Sequence, residues 1–222
     1  MKKIFILMTL FFLNACASHV WEYEPEAKQK YPPIKQAVLT VQPLTDERPT
    51  SHFMEWSAPL ALLPFVPYSK TRVVNHPDKS FVGFAGNPAE KLAEAVADEL
   101  AVHSVFSTVI YNNPSQKSDY ILSGKLKKFR VKSYWSFYGA SLAGIALWYL
   151  GAPAEKIYND VCIEFTLSDK NDKVYFQKEY SASTSRLLGF YYNQNKLQFE
   201  EPVKQINLQL VNDLLPIIKK IQ

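Results

Sequence analysis

The sequence predicts an α+β fold: a mixed, mainly antiparallel sheet of about five strands with two helices packed on one face. Period-two apolar alternation marks strands at 37–44, 107–111, 118–135, 160–167 and 174–180. A capped, alanine-rich helical segment opens at Asn87, and an amphipathic stretch from Val203 to Ile221 closes the chain. In that order, a helical crossover makes the first two strands parallel, and hairpins make the later ones antiparallel.

The chain opens on Met1-Lys2-Lys3, an apolar run from Ile4 to Leu13, and the small-residue site Asn14-Ala15-Cys16. That is the order of a secretory signal over residues 1–15, and the run is shorter than the roughly 20 residues a spanning helix needs. Leu13-Asn14-Ala15-Cys16 resembles the lipobox of bacterial lipoprotein precursors. The resemblance implies acylation of Cys16, the lipidation site, and removal of the signal before it. Ala17 and Ser18 follow where an aspartate would favour the inner membrane. The expectation is therefore an outer-membrane anchor in the lipid bilayer, with the body facing the periplasm. Two or more acyl chains would hold it firmly.

A chain beginning at Cys16 has 207 residues and, without Lys2 and Lys3, 23 basic against 21 acidic side chains, a net charge of about +2. Such a balance carries no nucleic-acid signature, because no basic stripe is present. With Cys16 acylated, Cys162 is the remaining cysteine, so no internal disulfide is expected, and its thiol reads as a small buried hydrophobe.

Residues 16–36 carry Pro25, Pro32, Pro33 and many charges without periodicity, and read as a tether of up to about 65 Å. Trp21, Tyr23 and Tyr31 leave a partly docked or interfacial tether equally open. Residues 37–222 read as one αβ domain. Ala37 to Leu44 is the first strand, closed by Pro43, and Thr45-Asp46-Glu47-Arg48-Pro49 is a turn. A small hairpin is expected with Thr71–Val74 and Ser80–Phe84 flanking Asn75–Asp78.

Asn87-Pro88-Ala89-Glu90 combines a side-chain cap, proline at the first helical position and glutamate three residues after the cap. The helix is expected to run to about Phe106. In the long strand at 118–135 the apolar phase shifts from Tyr120, Leu122 and Leu126 to Phe129 and Val131, predicting a bulge near Lys127 and Lys128. Val161, Ile163, Phe165 and Leu167 share one face of the next strand, and Ser168 to Lys173 turns it back. The closing helix has Val203, Ile206, Leu210, Leu214, Ile217 and Ile221 on one stripe and a kink or break at Pro216. Residues 184–199 fit neither period.

Several pieces resemble a group of envelope lipoproteins that share a small αβ domain: the amino-terminal part of TolB, curli-secretion lipoproteins and auxiliary lipoproteins of ABC-type transport systems. The pieces are the strand and Asp-x-Arg turn of Val41 to Arg48, the alanine-rich helix, and the strand entry Ser118-Asp119-Tyr120-Ile121-Leu122-Ser123-Gly124. They fall within residues 37–182. The resemblance implies a non-catalytic accessory or structural component of an envelope secretion, transport or assembly complex. The runner-up is a periplasmic module for a lipid or other hydrophobic ligand, which would need a cavity lined by Phe129, Val131, Trp148 and the last helix.

Two uncharged insertions, 56–68 and 133–154, depart from that group. The second is 22 residues rich in aromatic and small side chains. It reads either as a buried loop or short helix, or as a tip that dips into membrane or binds a partner. Candidate contact residues are Leu142, Ile145, Leu147, Trp148 and Tyr149, with Leu62, Leu63 and Phe65 in the first insertion. If the long strand runs opposite to the first, this tip lies beside the arriving tether and faces the membrane, with the 56–68 loop at the far end.

Catalytic readings have little support. His19, His52, His76 and His103 lack ligand spacing, no Gly-x-Ser-x-Gly elbow or glycine-rich phosphate loop occurs, and Asp46, Glu47 and Arg48 suit a capped turn. No enzyme, metal or cofactor is expected.

Overall fold

A computed structural model describes residues 23–26, 32–49, 69–74, 86–113, 117–135, 142–192 and 199–221. Cys16 and the whole 56–68 insertion, with Leu62, Leu63 and Phe65, lie outside the described residues, as does the second arm of the expected 71–84 hairpin.

The chain forms one mixed sheet with helices on one face. The strands are β1 (Lys35–Val41), β2 (Thr45–Asp46), β3 (Ser69–Val74), β4 (Phe106–Tyr111), β5 (Tyr120–Trp135), β6 (Glu155–Asp169) and β7 (Val174–Leu188). Five of them make the path β4-β1-β5-β6-β7, while β2 and β3 follow β1 along the same edge of β5. The helices are α1 (Pro88–Val102), α2 (Leu142–Tyr149) and α3 (Glu200–Lys220). The first and last are the predicted pair, lying side by side against the sheet.

Local chemistry explains these elements. Asn87 Oδ1 accepts from the Ala89 amide at 3.0 Å, and Pro88 occupies the first turn of α1. The helix ends four residues short of Phe106, which instead begins β4, after Ser104 takes a positive φ of 51°. The bulge falls at Lys127, between Leu126 and Lys128. It lets Leu126 and Phe129, three apart, share the buried face. Asp169 closes the β6–β7 turn by accepting from the Asn171 and Lys173 amides at 2.8 and 3.1 Å. Glu200 and Glu201 at the start of α3 and Lys219 and Lys220 at its end complement the helix dipole. The helix runs through Pro216, so the expected break is absent; the lost backbone bond falls near its exposed end. Ile218, not Ile217, completes the buried stripe.

The main hydrophobic core lies on one sheet face. Leu39, Leu122, Leu126, Phe129, Ile163, Phe165 and Leu167 meet Leu92, Val96, Leu100, Val203, Ile206, Leu210 and Leu214 in one continuous core. Each such side chain contributes roughly 1.5–3 kcal/mol by leaving water. Between sheet and α3 the Phe129 and Phe199 rings stack with centroids 3.8 Å apart. The opposite face carries paired charges: Lys125 with Glu47 at 2.8 Å, Arg130 with Asp160 at 2.7 Å, and Lys127 between Glu164 and Glu179.

The direction of β5 departs from expectation. It runs parallel to β1, with Leu39 opposite Tyr120 and Val41 opposite Leu122. The link from β4 steps back only two rungs, from the level of Val41 to that of Leu39, a distance that the eight residues 112–119 are long enough to cover. The end of β5 therefore lies at the opposite end of the sheet from the start of β1. β3, whose partner among the described residues is β5, begins with Ser69 opposite Trp135, so the chain leaving the 56–68 insertion enters at that same far end. The 133–154 tip stands far from the arriving tether, contrary to the antiparallel arrangement.

Candidate functional site

The far end of the sheet carries the candidate site. Trp135, Glu155 and Leu188 pair rung by rung across β5, β6 and β7, and residues 142–154 and 187–192 form an apolar tip beyond them. Leu142–Tyr149 folds as α2 because its leucines and alanines favour helix and no charge interrupts it. A Schellman motif ends it: the Ala152 amide donates to Leu147 O at 2.9 Å and the Gly151 amide to Trp148 O at 3.0 Å. Gly151 sits at φ 93°, and Pro153 follows.

The stretch 187–192, outside any predicted element, completes the tip. The Ala154 amide donates to Leu188 O at 2.8 Å. The Tyr191 hydroxyl donates to Tyr149 O at 3.1 Å, and that of Tyr192 to Gly151 O at 3.4 Å. The Phe190 ring stands edge-on to Trp148 and Tyr149, with centroids 5.6 and 5.4 Å away. Gly189 admits this turn, since a Cβ there would meet the Tyr192 ring at 2.5 Å.

Of the candidate contact residues, Leu142 and Ile145 lie in α2, Trp148 is buried at 9% exposure, and Leu147 is partly exposed. Tyr149 is 65% exposed and Leu150 is 83% exposed. Leu187, Phe190 and Tyr191 add exposed apolar surface that sequence reasoning missed. The uncharged run Leu187-Leu188-Gly189-Phe190-Tyr191-Tyr192 was its signal. Six of the seven large hydrophobic residues that stand exposed among the described residues gather here, the exception being Val174 at the other end. A cluster of that kind marks a contact surface more often than scattered exposure does.

The other end holds the tether. The Tyr23 hydroxyl donates to Oε2 of the buried Glu99 at 2.6 Å, and His103 Nε2 lies 2.9 Å from Oε1 of the same carboxyl. Burial and then the Glu99 bond push the Tyr23 phenol well above its ordinary range. Lys35 Nζ donates to Ile221 O at 3.1 Å, securing the start of β1 to the end of α3. An open polar groove of about 340 Å³, lined by Lys35, Asp119, Asp169, Lys170 and Tyr175 among others, lies nearby. Arg48 is buried, and its Nε and Nη2 reach Asp46 Oδ1 and Oδ2 at 2.8 and 2.6 Å, so the Asp-x-Arg turn is structural. Cys162 is buried beside Glu179 at 3.4 Å, and burial followed by that bond raises its pKa. Among the described residues no group of three or more histidine, cysteine or carboxylate side chains is placed to hold a metal. None of the described helices is long and apolar enough to cross a membrane.

These features define an α+β domain, one charged sheet face open to water and the other covered by two helices. The same fold occurs in protein XCC0632 from Xanthomonas campestris, described with the family model DUF330. The likeness covers 92% of this chain and 98% of that one, with a TM-score of 0.52 at 12% identity. No family model and no curated protein matches this chain.

Proposed function

We propose that this chain is a membrane-anchored periplasmic lipoprotein, held at the outer membrane through acylated Cys16, that serves as a non-catalytic accessory component of an envelope secretion, transport or assembly complex. The observation that carries the reading is the composite apolar tip, where Tyr149, Leu150, Phe190 and Tyr191 stand exposed on a body with a continuous buried core. The lipobox at Leu13–Cys16 and the resemblance of residues 37–182 to envelope lipoproteins supply the location and the class.

Carriage of a hydrophobic ligand would call for space between sheet and α3. Phe129 is there stacked on Phe199 and fully buried, and Val131 and Trp148 are buried as well. The tip, by contrast, offers aromatic surface with tyrosine hydroxyls, the composition enriched in protein interfaces.

The test is affinity capture after crosslinking in intact envelopes, comparing the wild type with a variant carrying Tyr149→Ser, Leu150→Ser and Tyr191→Ser. Both keep Cys16. Defined partners present with the wild type and absent with the variant are expected. An identical pattern for the two would refute the accessory role of the tip.

A further inference from the structure

The tether tie and the direction of β5 together restrict where the tip can go. Tyr23 is bound at the last turn of α1, beside the starts of β4 and β1. Between Cys16 and Tyr23 there are seven residue steps, at most about 25 Å of chain even fully extended. From Leu122, the last rung shared with β1, β5 continues 13 residues to Trp135, which is about 43 Å of strand. Without the tie, the chain from Cys16 to Lys35 could span about 65 Å. Docking Tyr23 thus shortens the free leash to less than the length of the body beyond it. End-on insertion of the tip into the bilayer that holds Cys16 is out of reach. Laying the body flat would press hydrophilic helix surface, including Asp98, Gln205, Gln209 and Asn212, onto the membrane.

From this geometry we infer that the tip is presented away from the anchoring bilayer and docks into an apolar, aromatic-accepting groove of a partner protein, with the Tyr23–Glu99 bond setting the orientation. The inference rests on the lipid-anchor reading of Cys16. Charge favours a protein over an anionic lipid surface. Residues 133–154 and 187–192 include no cation, and two cations beside the tip are engaged: Arg186 pairs with Glu201 at 3.2 Å, and the Lys156 ammonium lies 4.9 Å from the centre of the Tyr158 ring. Surface-bound helices usually carry a Lys/Arg-rich polar face.

The experiment uses the full lipidated protein in a Cys162→Ser background, with a fluorescent donor on Leu150→Cys at the tip or Val174→Cys at the tether end. It is reconstituted in phosphatidylethanolamine/phosphatidylglycerol vesicles containing an acceptor lipid. Mass spectrometry of the same preparation first reads the acyl chains on Cys16; their absence overturns the anchor reading and this inference with it. With the chains present, energy transfer is expected to be several-fold weaker from position 150 than from 174, and Tyr23→Ala is expected to bring the two together. Equal transfer with Tyr23 intact overturns the orientation while leaving the anchor standing. In intact envelopes, a photo-crosslinker at Leu150 or Tyr191 is expected to give one protein adduct that position 174 does not give and that weakens with Tyr23→Ala. Lipid adducts, a homodimer of this chain or no adduct at the tip each overturn the protein partner.

Discussion

The hydroxyl of Tyr23 donates a 2.6 Å hydrogen bond to Oε2 of Glu99, joining residues 76 apart and holding part of the tether against the body. Tyr23→Phe removes the donor and leaves a buried carboxyl oxygen short of a partner. It is expected to destabilise the protein by about 1–3 kcal/mol, measured by urea denaturation. Burial, then the Glu99 bond, raises the Tyr23 pKa above its ordinary value of 10.0. For a group whose folded pKa is raised, the contribution is fully present below pH 10 and is lost as pH climbs further. The wild type should therefore lose stability above pH 10 more steeply than Tyr23→Phe, a difference followed by circular dichroism across an alkaline titration.

Arg48 and Asp46 form a second coupled pair. The Arg48 side chain is fully buried and binds both oxygens of the carboxylate. Breaking such a pair by removing one partner costs about 3–5 kcal/mol, because the other charge stays buried. Asp46→Ala should show a loss of that size. Arg48→Lys should also be damaging, because an ammonium cannot reproduce the two-pronged contact. Burial opposes ionisation of Asp46, but the bonds from Arg48 outweigh it and hold its pKa below 3.8. That contribution is present above pH 3.8 and is lost as pH falls through the depressed value. Acid unfolding should begin at higher pH in Asp46→Ala than in the wild type.

Gly124 is where β6 and the chain after β1 approach too closely for a side chain. A Cβ there would meet Leu44 Cδ2 at 2.7 Å and the Glu164 carbonyl oxygen at 2.8 Å. Gly124→Ala should cost about 1–3 kcal/mol, since backbone as well as side chain must move. A thermal melt checks it.

The tip and the core should respond oppositely. Leu150→Ser, at an exposed position, is expected to change stability by no more than about 0.5 kcal/mol. Phe199→Ala, which empties the space over Phe129, is expected to cost about 3–5 kcal/mol. Parallel denaturant titrations separate the two.

Cys162 should be unreactive while the protein is folded. Its thiol is buried, and burial together with Glu179 raises its pKa, so little thiolate forms at neutral pH. Alkylation by iodoacetamide should track unfolding, and rapid modification in native buffer would contradict this placement.

Features carried by local chemistry were legible in the sequence. The Asn87-Pro88 helix start, the phase shift at Lys127, the alternation of β6 and the stripe of α3 each depend on neighbours a few residues apart. The candidate tip was half legible. Its uncharged composition marked 133–154, but the Tyr191–Tyr149 bond brings in residues 42 positions away.

What the sequence by itself determined is the identity and order of the main strands and helices, the one-sided core, and the list of apolar residues needing an explanation; the ends of α1, β6 and β7 were not among them. Periodicity and capping act within a turn or a few rungs, so they need no knowledge of the fold. The direction of β5 was decided by tertiary structure. A parallel neighbour usually demands a long crossover, and only the two-rung step back from β4 permits the short link at 112–119. The same holds for Tyr23 on Glu99 and for the gathering of Tyr149, Leu150, Phe190 and Tyr191 at one end. Those contacts join distant stretches of chain, and packing of the whole domain sets their geometry, which no local pattern encodes.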